Sequence, residues 1–150
     1  MTSLRAVLEP GAVRLGLGSV DRFAAVRITG QILVDVGAVP DGYIEAMCER
    51  ERSISTFIGE GVAIPHGTEA SRNLVERAAL SVAQFPDGID WNGNLVYLCV
   101  GIASATDEHI TVLSRLAQAL HEPDTAERLR KATTAEEMLE ILSPISSGPR

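Results

Sequence analysis

The chain has 150 residues, of which 45% are hydrophobic and only 4% aromatic, enough for one domain with an aliphatic core. A net charge of −7 excludes a binder of nucleic-acid backbone, which needs a basic face. An acidic surface fits either a basic partner or ordinary solubility.

In chain order, residues 1–10 carry little pattern and read as a loose lead-in. Ala12–Leu15 alternates like a short strand, and Gly16–Leu17–Gly18 turns the chain into a helix capped by Ser19. Phe23, Val26, Gly30 and Leu33 fall at helical spacing, with Gly30 read as a point of close packing on a sheet and Gly37 as the C-cap. A second helix starts near Pro40. Tyr43, Met47 and Arg50 line its stripe, while Glu49, Glu51 and Arg52 are read as facing elsewhere. Arg50 is then either a solvated cation at a helix end or a cation leaning towards the core side.

Ser55–Ile58 and Val62–Ile64 read as two short extended pieces separated by Gly59 and Gly61, and the second ends in Pro65–His66–Gly67. Pro65 has a fixed φ and biases Ile64 towards an extended conformation, and Gly67 allows a positive φ or a close backbone approach. The corner therefore holds an imidazole on a stiff support. Glu69–Ser71 suggests a helical turn and Arg77–Gln84 a strand, which the turn chemistry of Pro86–Asp87–Gly88 would end. Asn92–Gly93–Asn94 is another turn. Leu95–Ala103 is an apolar run without alternation, as expected of a central strand covered on both faces.

Thr106 or Asp107 would cap a helix running to about Leu120, with His109 in its first turn. His109 either hydrogen-bonds locally or meets His66, if both strands end at one sheet edge. Thr125–Ala132 and Thr134–Leu142 read as two further helices, and 143–150 as a loose polar tail. Together these elements imply one α/β domain over 1–150. It would have three layers, a central mixed β-sheet flanked by helices on both faces.

Several chemistries are excluded. Cys48 and Cys99 have neither metal-ligand spacing nor the density of a secreted disulfide scaffold, so two buried thiols in a reducing cytoplasm are expected. Two distant histidines do not complete a zinc site. There is no G-x-S-x-G elbow and no Walker loop. The start lacks a signal-peptide pattern, and no stretch approaches the ~20 apolar residues of a membrane span. What remains is a histidine acting as its own nucleophile.

Tyr43–Glu51, then Phe57–Ile58–Gly59 and Val62–Thr68, carry a family likeness, supported by Phe85–Ile89, Val100–Ala103 and Glu108–His109–Ile110. In these stretches the chain resembles the enzyme IIA proteins of the phosphoenolpyruvate-dependent sugar phosphotransferase system, mannitol/fructose type, and within it the mannitol branch. The likeness runs from about Leu15 to Leu142. It implies a phosphoryl relay in which the histidine of the Pro-His-Gly corner, here His66, takes the group from the phosphocarrier HPr. His66 would then pass it to a cysteine of the IIB domain of a membrane sugar permease. It also implies active-site roles for Arg50 and His109, with no cofactor or metal.

These residue types suit that chemistry. A phosphoryl group adds roughly two negative charges, which Arg50 can pair bidentately. His109 and, as a lesser candidate, Thr68 could donate hydrogen bonds to its oxygens. The second ring nitrogen of His66 needs an acceptor, either a main-chain carbonyl or Glu60. The competing function is that of the related nitrogen-type branch, whose phosphorylation state regulates other proteins.

Overall fold

The computed structural model describes residues 8–105 and 118–142. Five strands form one mixed sheet: β1 (Val13–Arg14), β2 (Phe57–Gly59), β3 (Val62–Ala63), β4 (Ala79–Trp91) and β5 (Asn94–Ala103), in the order β1-β4-β5-β3-β2. β1 is parallel to β4 and β3 to β5, whereas the β4–β5 and β2–β3 pairs are antiparallel. β5 is central, as its unbroken apolar run implies.

Alternate residues of β4 and β5 feed two separate cores. Leu80, Val82, Leu98, Val100 and Ile102 pack on one face with α3 (Pro123–Lys131) and α4 (Ala135–Leu142). Ala79, Ala83, Cys99 and Ala103 pack on the other with α1 (Arg22–Asp35) and α2 (Gly42–Ser53). A central strand with both faces covered needs no polar alternation. The expected three-layer α/β domain is what the chain forms. Leu8, 2% exposed, already belongs to the first core, so the lead-in read over 1–10 reaches the interior before it ends.

Local signals set the element ends. Asp21, rather than Ser19, caps α1: its Oδ1 accepts the Ala24 N–H at 2.8 Å, while the Ser19 hydroxyl donates to the Gly88 carbonyl. Gly37 (φ +79) closes that helix in a Schellman motif, with Gly37 N–H on the Val34 carbonyl and Ala38 N–H on that of Leu33. Gly30 does not face the sheet. A Cβ there would sit 3.0 Å from both Ile44 and Met47, so Gly30 lets α1 and α2 approach. Contact with the sheet falls instead at Gly101 of β5, where a Cβ would lie 3.1 Å from the Thr29 side chain.

Asn92 and Gly93 (φ 58 and 95) make the expected two-residue β4–β5 turn. Pro86–Asp87–Gly88 does not end a strand. β4 continues through it to Trp91, and the segment is a bulge between the Gln84–Leu98 and Ile89–Val96 pairs. The helix read over 106–117 lies outside the described residues. No helix among those described is long and apolar enough to cross a membrane.

Candidate functional site

β2 and β3 form a tight hairpin through Gly59 (φ 95), Glu60 (φ 53) and Gly61 (φ 75). β3 runs parallel beside β5, and the chain then reaches Pro65–His66–Gly67, where His66 still makes one parallel bridge to Ile102. The Ile102 N–H donates to the Pro65 carbonyl at 2.9 Å, which fixes the residue before the histidine to the central strand.

The residue after it is fixed from the other side. Tyr43, in the first turn of α2, accepts the Gly67 N–H on its hydroxyl at 3.0 Å and donates that hydroxyl to the Ile102 carbonyl at 3.1 Å. Gly67 is needed for contact, not for a left-handed turn. A Cβ there would come within 2.6 Å of the Tyr43 ring and 2.5 Å of the Ser71 hydroxyl. Burial pushes the Tyr43 phenol above its ordinary pKa, so it remains a protonated donor at neutral pH.

The imidazole itself is half-buried, with Nδ1 2.9 Å from the Ile64 carbonyl. A carbonyl only accepts, so Nδ1 carries the proton and Nε2 keeps its lone pair. Of the two candidate acceptors for that nitrogen, the main-chain carbonyl holds it, while Glu60 stands exposed at the hairpin tip. Burial, chiefly, pushes the His66 pKa below the ordinary imidazole value. The Ile64 hydrogen bond opposes this, the positive charge of Arg50 adds to it, and the negative charge of Glu51 opposes it. The ring is therefore neutral at pH 7, as a nucleophile must be.

Arg50, half-buried at the end of α2, donates to the Ile54 carbonyl at 2.6 Å and is close enough for its charge to be felt at His66. Thr68 begins the 3-10 turn Glu69–Leu74, and its carbonyl accepts from the Ser71 N–H and hydroxyl. His109 lies outside the described residues. His121, 3.1 Å from where a Cβ of Gly59 would be, belongs to the hairpin's flank.

The structure thus sets the Arg50 charge within electrostatic reach of His66 and adds residues whose roles the sequence alone does not show. Glu51 does not face away from the core: it is 1% exposed. Its position four residues after Met47 and eight after Tyr43 is the signal that places it on the buried stripe. The hydroxyl role of Tyr43 has no local signal, because its partners Gly67 and Ile102 are distant in sequence, whereas the Ser71 hydroxyl bonds locally to the Thr68 carbonyl. Among the described residues no group of three His, Cys, Asp or Glu could hold a metal ion, and both cysteines are buried free thiols.

The family model for the phosphoenolpyruvate-dependent sugar phosphotransferase system, EIIA 2, matches residues 6–144. The chain belongs to this family. It is 45% identical over 123 residues to the mannitol-specific phosphotransferase enzyme IIA component of Geobacillus stearothermophilus, covering 81% of this chain and 85% of that one. Among solved structures it is similar to the Escherichia coli enzyme IIA mannitol in its complex with phosphorylated enzyme IIB mannitol, at TM-score 0.83 and 30% identity, covering 92% and 99% of the two chains. The nitrogen regulatory protein IIA-Ntr of Neisseria meningitidis shares the fold at TM-score 0.78 and 27% identity, over 91% of this chain and 96% of that one.

Proposed function

We propose that this enzyme IIA is a phosphocarrier whose His66 Nε2 takes a phosphoryl group from the phosphohistidine of HPr. It then yields that group to a cysteine of the IIB domain of a sugar permease, with mannitol as the leading sugar. The observation that carries this reading is the tether from Nδ1 to the Ile64 carbonyl, which leaves a neutral imidazole whose Nε2 keeps its lone pair on a rigid corner. In the first step the donor's N–P bond breaks as the Nε2–P bond forms. In the second, Nε2–P breaks as S–P forms, and the imidazole returns to its neutral form.

Little covalent help is required from the protein beyond in-line positioning and charge stabilisation. Arg50 supplies the counter-charge to the phosphoryl oxygens, His109 a further donor and Thr68 a lesser one. Exposed Ile54, whose carbonyl anchors Arg50, offers an apolar contact for a docking partner. On this reading the domain works in the cytoplasm, where the phosphoenolpyruvate-driven relay runs.

The higher identity to mannitol-specific relatives supports the sugar branch over the nitrogen-type regulator. The test is incubation with phosphoenolpyruvate, enzyme I and HPr, followed by intact mass. An acid-labile phosphoryl adduct should form on the native protein and not on His66→Ala. An adduct that persists in that variant would overturn the assignment. A phosphorylated protein that passes nothing to mannitol-permease membranes would favour the regulatory branch.

A further inference from the structure

Among the described residues Glu51 is the only buried charged side chain. Its Oε1 accepts the Thr56 N–H at 3.2 Å and the Thr56 hydroxyl at 2.5 Å, and its Oε2 accepts the Trp91 Nε1–H at 3.0 Å. The Arg22 guanidinium lies 3.6 Å from Oε2. Desolvating a carboxylate costs several kcal/mol even after relaxation, and apolar residues would often fill the same space at lower cost. A charge kept here, with donors from three separate elements, calls for a role beyond packing.

The bonding continues from Thr56 to the active site. The Thr56 carbonyl accepts the Ile64 N–H at 3.0 Å. Two residues before the histidine, the Ile64 carbonyl accepts the His66 Nδ1–H at 2.9 Å. Three successive links therefore join a buried carboxylate to the nitrogen that sets the tautomer. We propose that Glu51 is a positioning residue for phosphoryl transfer at His66: by anchoring Thr56 it holds the Ile64 carbonyl that orients the imidazole. The inference rests on the reading of His66 as the phosphoryl acceptor. Glu51 does not touch the reacting nitrogen and acts through Thr56 and Ile64. Its negative charge also reaches the ring and opposes that of Arg50, the residue beside it.

The test compares the wild type with Glu51→Gln, which keeps the size and removes the charge. Thr56→Val, which removes the hydroxyl and keeps the N–H, is the second variant. Two quantities are read on proteins shown to be folded at the assay temperature: the kinetics of phosphorylation by phospho-HPr, and the 15N shifts of the His66 ring above its titration. Glu51→Gln should lower kcat by about tenfold, in the range typical of residues that orient a ligating imidazole, with the KM for HPr unchanged. It should also convert one tautomer into a mixture, and Thr56→Val should move both readouts the same way by less. Wild-type kcat with a single tautomer in the folded variants would overturn the proposal, as would a change confined to KM. If Glu51→Gln does not fold, Thr56→Val decides by the same two readouts. If the wild type takes up no phosphoryl group, the reading of His66 fails, and the tautomer measurement alone decides whether Glu51 orients the ring.

Discussion

Two Pro-X-Gly tripeptides in this chain, Pro65–His66–Gly67 and Pro86–Asp87–Gly88, have opposite fates. The first is a true corner: Pro65 is buried, both flanking peptides are tied to Ile102 directly or through Tyr43, and Gly67 is pressed against a ring. The second is an interruption inside a long strand: Pro86 and Asp87 are exposed, and the ladder closes again at Ile89. Gly88 there has φ +81 as well as the Tyr97 ring 3.0 Å from where a Cβ would be, whereas Gly67, with no positive φ, is a glycine for space alone. The same local chemistry gives a rigid pedestal in one place and a bulge in the other, because the neighbours differ. In the first, the Ile102 N–H and the Tyr43 hydroxyl hold the peptides on the two sides of the central residue, whereas in the second the Ser19 hydroxyl bonds the Gly88 carbonyl.

Substitutions can break this contrast. Gly67→Ala should have the largest effect, because the new methyl meets ring atoms of Tyr43 that cannot swing away. We expect a loss of about 1–3 kcal/mol in chemical denaturation, as for other overpacked sites, together with slower phosphorylation. An alanine variant as stable and as active as the wild type would show that the corner is looser than described. Arg50→Ala should retain the fold and slow transfer, and it should also change the pH profile. Wild-type acceptance should hold above the ordinary imidazole value of 6.5 and decline only at lower pH, because the folded ring resists protonation. Without the Arg50 charge that helps lower the His66 pKa, the declining limb should move to higher pH. A limb that stays put would remove Arg50 from the electrostatics of the site.

The same depressed pKa has a consequence for stability. Below 6.5 the unfolded chain binds a proton more readily than the folded one, so His66 makes the protein less stable as pH falls from 6.5 through its lower folded value. His66→Ala should flatten that part of the stability profile in denaturant titrations. Gly88→Ala should cost about 1–2 kcal/mol for a left-handed backbone, with a new methyl also 3.0 Å from the Tyr97 ring, and leave phosphorylation unchanged. Asp87→Ala, at the position matching the histidine, should stay within about 0.5 kcal/mol of the wild type.

What was legible in the sequence follows the range of the forces involved. The Asn92–Gly93 turn, the Gly37 helix end and the two-faced β5 depend on a few adjacent residues, and each was readable. The Pro86–Asp87–Gly88 segment reads as a strand end in the sequence but is a bulge in the fold, because turn chemistry and bulge chemistry use the same residues. Only the Leu98 and Val96 partners across the ladder distinguish them. Ser19 and Asp21 are both good caps, and Ser19 was diverted by a carbonyl 69 residues away. Gly30 signalled close packing correctly, but its partner was a helix and not the sheet. At the site, His66 and Arg50 stood out by motif and spacing. Tyr43, Thr56 and Glu51 act through side-chain and backbone partners that only the fold assembles.

The central claim is that the corner presents Nε2 of His66, with Nδ1 committed to the Ile64 carbonyl. The most direct measurement is 15N and 31P NMR of the protein after phosphorylation by phospho-HPr. The account predicts a single phosphoryl group bonded to His66 Nε2, with Nδ1 still protonated. A group found on Nδ1, or on any other side chain, would contradict it.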